Sequence, residues 1–369
     1  MSLISDRRYP HLIQYKVIDG LLLRDMALAG ATLLEHNREM VDALNVFPVP
    51  DGDTGTNMSL TMQSAMREVN SKEFLRADEA AAALSKGALR GARGNSGVIT
   101  SQILRGLCEG FEGVEVADAA AVDKAMKRSV EVAFQAVRRP VKGTILTVLE
   151  DIAAAAEKAA AEGLSLSDTL SAMADEALAS VKRTPELLPV LKENGVVDAG
   201  GFGLAIFFDA FSRALTGREQ SVAQETTGAA YEPKVEIEHF NDWEGSRYTY
   251  CNEFLVESDV LDKDDALDFL QTMGDCELCV GSIPRFKVHV HSNEPNRVLE
   301  YFLERGQIFE VHIHNMDLQS IERNEKLEQE RQASHKPLGV VAVAAGSGNA
   351  AILESLGVDV VVTGGQTMN

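Results

Sequence analysis

Cysteine, tryptophan and basic residues are all scarce in this sequence of 369 residues. It has four cysteines, one tryptophan, and 35 lysines and arginines against 56 aspartates and glutamates, so its net charge is −21. Four scattered cysteines are too few for a disulfide framework, so we expect free thiols or metal ligands. The negative charge opposes binding to nucleic acid and to anionic lipid. It also opposes phosphate ligands unless metal ions or oriented backbone dipoles offset it.

Long apolar runs are missing as well. No stretch approaches the ~20 apolar residues of a transmembrane helix, and the N-terminus lacks the pattern of a signal peptide. We therefore expect a cytoplasmic protein that is not an integral membrane protein. A hydrophobic fraction of 45% and a charged fraction of 25% are ordinary for a globular protein, and the length favours a multi-domain chain.

Helical periodicity dominates the first part of the chain. Apolar residues recur at three-, four- and seven-residue steps over residues 18–44, which predicts one long helix, and further helical segments follow it. The pattern predicts an all-helical domain over residues 1–216. Small and polar residues replace the periodicity over residues 217–235, which indicates a linker.

Strands and helices alternate after this linker. Residues 236–316 predict a small α/β middle domain in β-α-β-β-α-β order, similar to a ferredoxin-like unit. A charged connecting helix over residues 317–337 leads to two buried-type strands and a helix over residues 338–369. Such a βαβ unit would be incomplete as a sheet, so we expect this C-terminal α/β domain to be truncated.

The densest chemical signal is the segment NVFPVPDGDTGTNM at residues 45–58. Its prolines and glycines predict an extended lead-in and a tight turn, so Asp51 and Asp53 can reach one locus and bind Mg²⁺. The residues that follow would begin a helix whose free N–H groups favour phosphate; they are Thr54, Gly55, Thr56 and Asn57. A solvated Asx turn with a helix cap is the alternative interpretation.

A second glycine-rich turn, GARGNSG, lies at residues 91–97. It would open another helix with amide groups directed at an anion, and the residues concerned are Gly94, Asn95, Ser96 and Gly97. Arg93 could contact phosphate or lie in solvent. Taken alone, the segment is also typical of a turn between two helices.

Two histidines stand two residues apart in the middle domain. His289 and His291 would share one face of a predicted strand, and Cys251 lies on another strand that could be its neighbour. One thiolate and two imidazoles suit a tetrahedral Zn²⁺ ion with one position open. Histidine pairs of this kind also occur on strands that bind no metal.

Two further pairs of residues could extend this metal site. Cys276 and Cys279 form a Cys-x-x-Cys pair, which we interpret as two small buried residues entering a strand rather than as redox or metal ligands. His312 and His314 repeat the His-x-His spacing on a later strand and could supply a fourth zinc ligand.

Four motifs together resemble the ATP-binding L-type domain of dihydroxyacetone kinases: PDGDTGTN, GARGNSG, VKGT at residues 141–144 and VDAGG at residues 197–201. The longer segments NVFPVPDGDTGTNM and LKENGVVDAGG are more similar still to the ATP-binding subunit of bacterial fatty acid kinases. The resemblance covers nearly the entire chain. It implies a barrel of antiparallel helices that binds ATP and a pair of Mg²⁺ ions at one end.

The resemblance also implies roles for single residues. Asp51 and Asp53 match metal-binding aspartates, and the turns at residues 54–57 and 94–97 match phosphate-binding turns. The sugar kinases carry a third metal-binding aspartate, whose nearest counterpart here is Asn45, a neutral and weaker ligand. Positions in the motifs near the nucleotide are Thr144, Asp198 and Gly200, and those that match a zinc site are Cys251, His289 and His291.

A two-component fatty acid kinase is the function that the resemblance implies. A separate DegV-type protein would bind the fatty acid and present its carboxylate, while Asp51, Asp53 and Arg93 would serve phosphoryl transfer by positioning and charge neutralisation. The metal motif shows no residue that could serve as a general base. This favours a carboxylate acceptor, because a carboxylate is already ionised at neutral pH and needs no base. A dihydroxyacetone-type sugar kinase and a non-catalytic nucleotide-sensing scaffold are the alternatives, and a homodimer is left open.

Overall fold

Ten helices follow one another over the described residues 16–216 of this computed structural model. The structure describes residues 16–216, 247–319, 321, 325, 340–344, 353, 356, 358 and 360–363. The helices are α1 (Gly20–His36), α2 (Arg38–Ala43), α3 (Thr54–Val69), α4 (Ala77–Gly91), α5 (Gly94–Gly110), α6 (Ala119–Ala136), α7 (Ile145–Ala161), α8 (Leu166–Leu187), α9 (Pro189–Glu193) and α10 (Ala199–Thr216). The prediction that the chain begins with an all-helical domain is confirmed for the described residues, which we call the helical domain.

The single long helix predicted over residues 18–44 is wrong, because the structure has two helices there. Asn37 ends α1 and precedes α2. Its side-chain amide donates a hydrogen bond of 2.8 Å to the carbonyl of Leu33, and such bonds compete with the backbone ladder. The short helix α9 was not anticipated, since five residues are too few to show a helical period.

The last helix of this domain, α10, lies in its core. Its sequence, AGGFGLAIFFDAFSRALT, is apolar on nearly every side, as expected of a helix that is surrounded by others. It packs against α1, α7 and α8, and the rings of Phe207 and Phe211 lie 4.5 Å apart between centroids. The position of this helix fixes where its N-terminus, at Ala199, meets the rest of the domain.

Glycines let α5 approach α6 closely. A Cβ atom at Gly106 would lie 2.7 Å from the backbone nitrogen of Ser129, and one at Gly110 would lie 2.9 Å from Cβ of Ala125. Both separations are shorter than carbon contacts allow. The two helices therefore pack with their backbones nearly in contact.

Over residues 250–315 of the described chain, a four-stranded sheet with two helices forms the middle domain. Its elements are β1 (Tyr250–Glu257), α11 (Lys263–Met273), β2 (Gly274–Ser282), β3 (Arg285–Ser292), α12 (Pro295–Leu303) and β4 (Gln307–Asn315). The strand order is β2-β3-β1-β4, and each neighbouring pair is antiparallel. The predicted β-α-β-β-α-β order is confirmed.

The two faces of this sheet have different surroundings. One face packs Phe254, Val288 and Val290 against apolar residues of α11 and α12 such as Leu270 and Phe302. Because side chains alternate along a strand, the opposite face carries a polar set that is also buried: Cys251, Glu253, Lys287, His289 and His291. This second face meets the helical domain, where Leu278 and Val280 pack against Ala92, Val98 and Ala136.

The C-terminal residues 320–369 form a separate unit. Its strands β5 (Val341–Ala344) and β6 (Val360–Thr363) pair in parallel, as the sequence predicts for a βαβ unit. The predicted linker at residues 217–235 lies outside the described residues, and so does most of the predicted connecting helix at residues 317–337. No helix among the described residues is both long and apolar enough to span a membrane.

The close contact between α5 and α6 leads to a stability prediction. Gly106→Ala should lower the free energy of unfolding by about 1–3 kcal/mol, because the added methyl group has no space beside Ser129. The control is Lys124→Ala on the exposed side of α6, which should change it by less than about 0.5 kcal/mol. Urea denaturation measures both, and equal midpoints for the two variants would contradict this close packing.

Candidate functional site

A cavity of about 700 Å³ lies between the helical domain and the polar face of the sheet. Most of the residues singled out in the sequence line it. From the helical domain these are Asn45, Asp51, Asp53, Thr54, Thr56, Asn57, Arg93, Gly94, Asn95, Ser96, Thr144, Asp198 and Gly200, and from the middle domain they are Cys251, His289 and His291. Two sites that the sequence presents separately therefore share one cavity.

Gly55 and Gly97 are the two candidate residues that do not line the cavity. A Cβ atom at Gly55 would lie 2.9 Å from Cβ of Val41, and one at Gly97 would overlap the hydroxyl oxygen of Thr61. The structure gives these glycines a packing role, since they let α3 approach α2 and α5 closely.

The N-termini of four helices converge on the cavity. The first turns of α3, α5, α7 and α10 each contribute lining residues, among them Thr54, Gly94, Ile145 and Gly200. The N-terminus of a helix carries partial positive charge and free N–H groups. Four of them around one space favour an anion of several charges.

Two adjacent carboxyl groups lie at the same end of the cavity. Burial raises the pKa of Asp51, and burial together with the charge of Asp51 raises the pKa of Asp53 well above its ordinary value. A cation between two neighbouring carboxyl groups favours their ionised forms and so lowers their pKa values. Their hard oxygen atoms fit Mg²⁺.

Two nearby side chains hold this turn in place. Asn45 is buried, and its amide donates a hydrogen bond of 2.6 Å to Asp51, so it positions that carboxylate. Asp42 on α2 accepts hydrogen bonds from the backbone nitrogen of Thr56 at 2.9 Å and from its hydroxyl at 2.8 Å. The role of Asp42 was missed, because nothing local in the sequence pairs α2 with the start of α3.

Cys251, His289 and His291 form a cluster on the middle-domain side. Their ligand atoms lie within 4.8 Å of one another, and the Cys251 sulfur is 3.7 Å from Nδ1 of His289. Burial alone would raise the pKa of the Cys251 thiol, but the two histidines lower it. Nε2 of His289 and Nδ1 of His291 are buried without a hydrogen-bond partner. Orphaned imidazole nitrogens beside a thiolate fit a zinc ion.

Glu253 joins the two sides of the cavity, although it was not among the residues predicted from the sequence. Its carboxylate accepts a hydrogen bond from the backbone nitrogen of Gly94 and lies 3.0 Å from Nδ1 of His289. Burial would raise the pKa of Glu253, but the His289 contact lowers it to about 2. The available signal was its position two residues after Cys251 on a predicted strand, which puts both side chains on one face.

The remaining sulfur and imidazole candidates lie in different surroundings. Cys279 is in the core on the opposite face of the sheet, where burial raises its pKa to about 12, as our interpretation expects. The same interpretation is wrong for Cys276, which lines the cavity. His312 and His314 also line it, but neither belongs to a metal-binding group among the described residues.

Comparison with known proteins shows which families this sequence matches. Models of the DAK2 domain, of the FakA-like fatty acid kinase middle domain and of the FakA-like fatty acid kinase C-terminal domain match residues 48–213, 247–323 and 339–369. Protein YloV of Bacillus subtilis (strain 168) is 40% identical over 368 residues, which is 96% of this chain and 66% of the relative. An uncharacterized protein of Staphylococcus haemolyticus is 37% identical over 95% of this chain and 66% of its own length.

The chain belongs to the FakA-like fatty acid kinase family. It spans about two thirds of the length of these relatives. The boundary between the first two matched regions coincides with the change from the helical domain to the middle domain. The cavity of this FakA-like chain is thus built from both of those regions.

Asp198 lines the cavity of this FakA-like chain and joins two of the helices that end there. Its carboxylate accepts a hydrogen bond of 2.7 Å from the backbone nitrogen of Gly201 and another from the backbone nitrogen of Ile145. It therefore connects the first turns of α7 and α10. Burial raises its pKa to about 7, although these hydrogen bonds act in the opposite direction.

The raised pKa of Asp198 predicts a pH-dependent stability. Between pH ~4 and pH ~7 the folded chain retains a proton on Asp198 that the unfolded chain has lost, so the free energy of unfolding falls as pH rises. Asp198→Asn keeps an acceptor for Gly201 and removes this titration. Relative to the unsubstituted protein, the variant should gain up to about 4 kcal/mol across this range.

Chemical denaturation at several pH values between ~4 and ~8 measures this difference. Asp25→Asn, on the exposed side of α1, is the control and should follow the unsubstituted protein. If the free energy of unfolding changed with pH equally in Asp198→Asn and in the unsubstituted protein, Asp198 would not hold a proton in the folded state.

Proposed function

We propose that this chain is the ATP-binding subunit of a two-component kinase that phosphorylates the carboxylate of a fatty acid presented by a separate DegV-type protein. The observation that carries this proposal is the convergence of four helix N-termini and two adjacent carboxyl groups on one cavity. Because the net charge is −21, a polyphosphate needs such local compensation. Membership of the FakA-like fatty acid kinase family supports a fatty acid carboxylate as the acceptor of the phosphoryl group.

The helical domain supplies the groups for a magnesium nucleotide. Asp51 and Asp53 would hold Mg²⁺. The first turns of α3 and α5 would bind phosphate oxygens through the backbone N–H groups other than those of Thr56 and Gly94, which already donate to Asp42 and Glu253. Mg²⁺ supplies charge neutralisation at the transferred phosphoryl group. Arg93 lines the same space and adds a positive charge. Apolar lining residues such as Val137, Val141 and Leu146 offer a surface for the nucleotide base.

The acceptor side of the reaction needs little from this chain. An ionised carboxylate attacks without losing a proton, so no general base is required, and phosphoryl transfer depends on positioning and charge. Cys251 and His291 lie close enough to Asp51 to affect the pKa of its carboxyl group. The cluster that would hold zinc is therefore next to the metal turn, where it can orient the acceptor side or stabilise the cavity wall.

The direct test measures ATP consumption with a fatty acid, in the presence and absence of a DegV-type partner. We expect consumption only when both are present, together with an acyl phosphate that hydroxylamine traps as a hydroxamate. Consumption with dihydroxyacetone instead would favour a sugar kinase. Tight Mg-ATP binding without turnover in any mixture would favour a nucleotide-sensing scaffold, and either result would overturn the proposal.

The metal turn can be tested by single substitutions. Asp51→Asn and Asp53→Asn should each lower ATP turnover at least about 100-fold, because each removes a charge that holds the cation. The helical signal in circular dichroism should stay unchanged, since neither side chain belongs to the apolar core. The matched control is Asp259→Asn at an exposed position. Normal Mg-ATP binding by calorimetry and normal turnover in both variants would remove these residues from the site.

The zinc site makes a separate prediction. Elemental analysis should find about one equivalent of zinc per chain, and the double variant His289→Ala/His291→Ala should lose most of it along with thermal stability. The double variant His312→Ala/His314→Ala is the control and should retain the metal, because these side chains lie outside the metal-binding groups of the described residues. A metal-free preparation with full thermal stability would contradict this prediction.

A further inference from the structure

Arginines without an ion pair are uncommon among the described residues, and two of them line the cavity. Most arginines there pair with a carboxylate, as Arg24, Arg105 and Arg183 do, since the chain has 56 acidic residues. Arg93 and Arg139 form no such pair within the described structure, and both are cavity residues. An unpaired guanidinium beside a cavity is available to an anion that enters it. Arg93 already has a place in the proposed function, whereas Arg139 has none.

The loop that carries Arg139 joins α6 to α7 and is anchored on both sides of this residue. On one side, the guanidinium of Arg138 donates a hydrogen bond of 3.0 Å to the side chain of Gln271 on α11. On the other side, Lys142 pairs with Glu150 on α7. Of the three basic residues in this loop, Arg139 is the one without a carboxylate partner among the described residues. The anchors therefore hold its backbone at the cavity and leave its charge uncompensated.

The neighbours of Arg139 indicate which part of a ligand it would meet. Val137 and Val141, on either side of it in the loop, line the cavity, and so do Thr144 and Ile145 at the start of α7. In the proposed function, these two valines offer an apolar surface to the nucleotide base. A basic side chain between them would meet the phosphates nearest to the base, which are the α- and β-phosphates.

We propose that the guanidinium of Arg139 binds the α- and β-phosphates of the nucleotide. This inference rests on the proposed function, because it takes the ligand of the cavity to be a magnesium nucleotide. A guanidinium carries a permanent charge and a planar fork of N–H donors that matches phosphate oxygens. It also adds donors where the helix N-termini have fewer than their number suggests, since the amides of Thr56 and Gly94 already donate to side chains of this chain.

Arg67 on α3 provides a matched control. It is exposed, as Arg139 is, and it also lacks an ion pair among the described residues, but it does not line the cavity. Its guanidinium donates a hydrogen bond of 3.0 Å to the hydroxyl of Ser64. Arg67→Gln removes the same charge from the same domain. An effect of net charge alone on nucleotide binding would therefore occur in both variants.

Calorimetry of the full chain with Mg-ATP and with Mg-ADP tests the assignment. Arg139→Gln should weaken the binding of both nucleotides about 10-fold, because both have the phosphates that lose a charge-assisted hydrogen bond. Arg139→Lys should recover only part of the affinity, since an ammonium keeps the charge but not the fork. Arg67→Gln should bind both as the unsubstituted protein does. Added NaCl should weaken binding less steeply in Arg139→Gln than in the unsubstituted protein.

Each other outcome contradicts a stated part of the assignment. Unchanged affinity of Arg139→Gln for both nucleotides, or a loss equal to that in Arg67→Gln, would overturn this inference alone. A loss for Mg-ATP only would place the guanidinium at the γ-phosphate, and lower turnover with normal nucleotide affinity would place it at the acceptor carboxylate. Either result would overturn the inference as stated. Failure of the unsubstituted chain to bind Mg-ATP would overturn the proposed function together with it.

Discussion

The contact of Glu253 with Gly94 and His289 joins the sheet to the helices at the cavity. A buried carboxylate is strongly unfavourable unless hydrogen bonds and an opposite charge compensate it. Here one partner is the first amide of α5 and the other is an imidazole on β3. This carboxylate therefore ties the start of α5 to β3, in a placement that the apolar packing of β2 against the helical domain also supports. That placement closes the cavity and brings the metal turn next to the Cys/His cluster.

Much of the fold was accessible from the sequence because it is set by local patterns. Periodic apolar residues predicted the helical domain, and alternation predicted the four strands of the middle domain. The break at Asn37 was missed because the apolar pattern continues through it. A hydrogen bond from the Asn37 side chain to the carbonyl of Leu33 accompanies this break. The shift in register of β2 between Asp275 and Leu278 was missed because it depends on how β2 pairs with β3.

The candidate site was predictable where its residues are neighbours in the chain. Asp51, Asp53 and the helix that follows them form one continuous segment, so their chemistry could be interpreted directly. Asp42 and Glu253 could not be found in this way, because their partners are distant in the sequence. Thr56 lies 14 residues from Asp42, and Gly94 lies 159 residues from Glu253. The union of the two predicted metal sites in one cavity has the same origin, since it depends on contact between domains.

In the function proposed above, the charges around the cavity would make the binding of the cation and of the anion depend on each other. Four helix N-termini attract an anion, but a free polyphosphate entering there would meet the carboxylates of Asp51 and Asp53. A cation alone would gain these two carboxylates but would lie among positive helix ends. When both enter, the cation neutralises the carboxylates and the phosphates neutralise the helix ends. The cavity is therefore electrostatically suited to a metal-chelated polyphosphate, and each half of that ligand would strengthen the binding of the other.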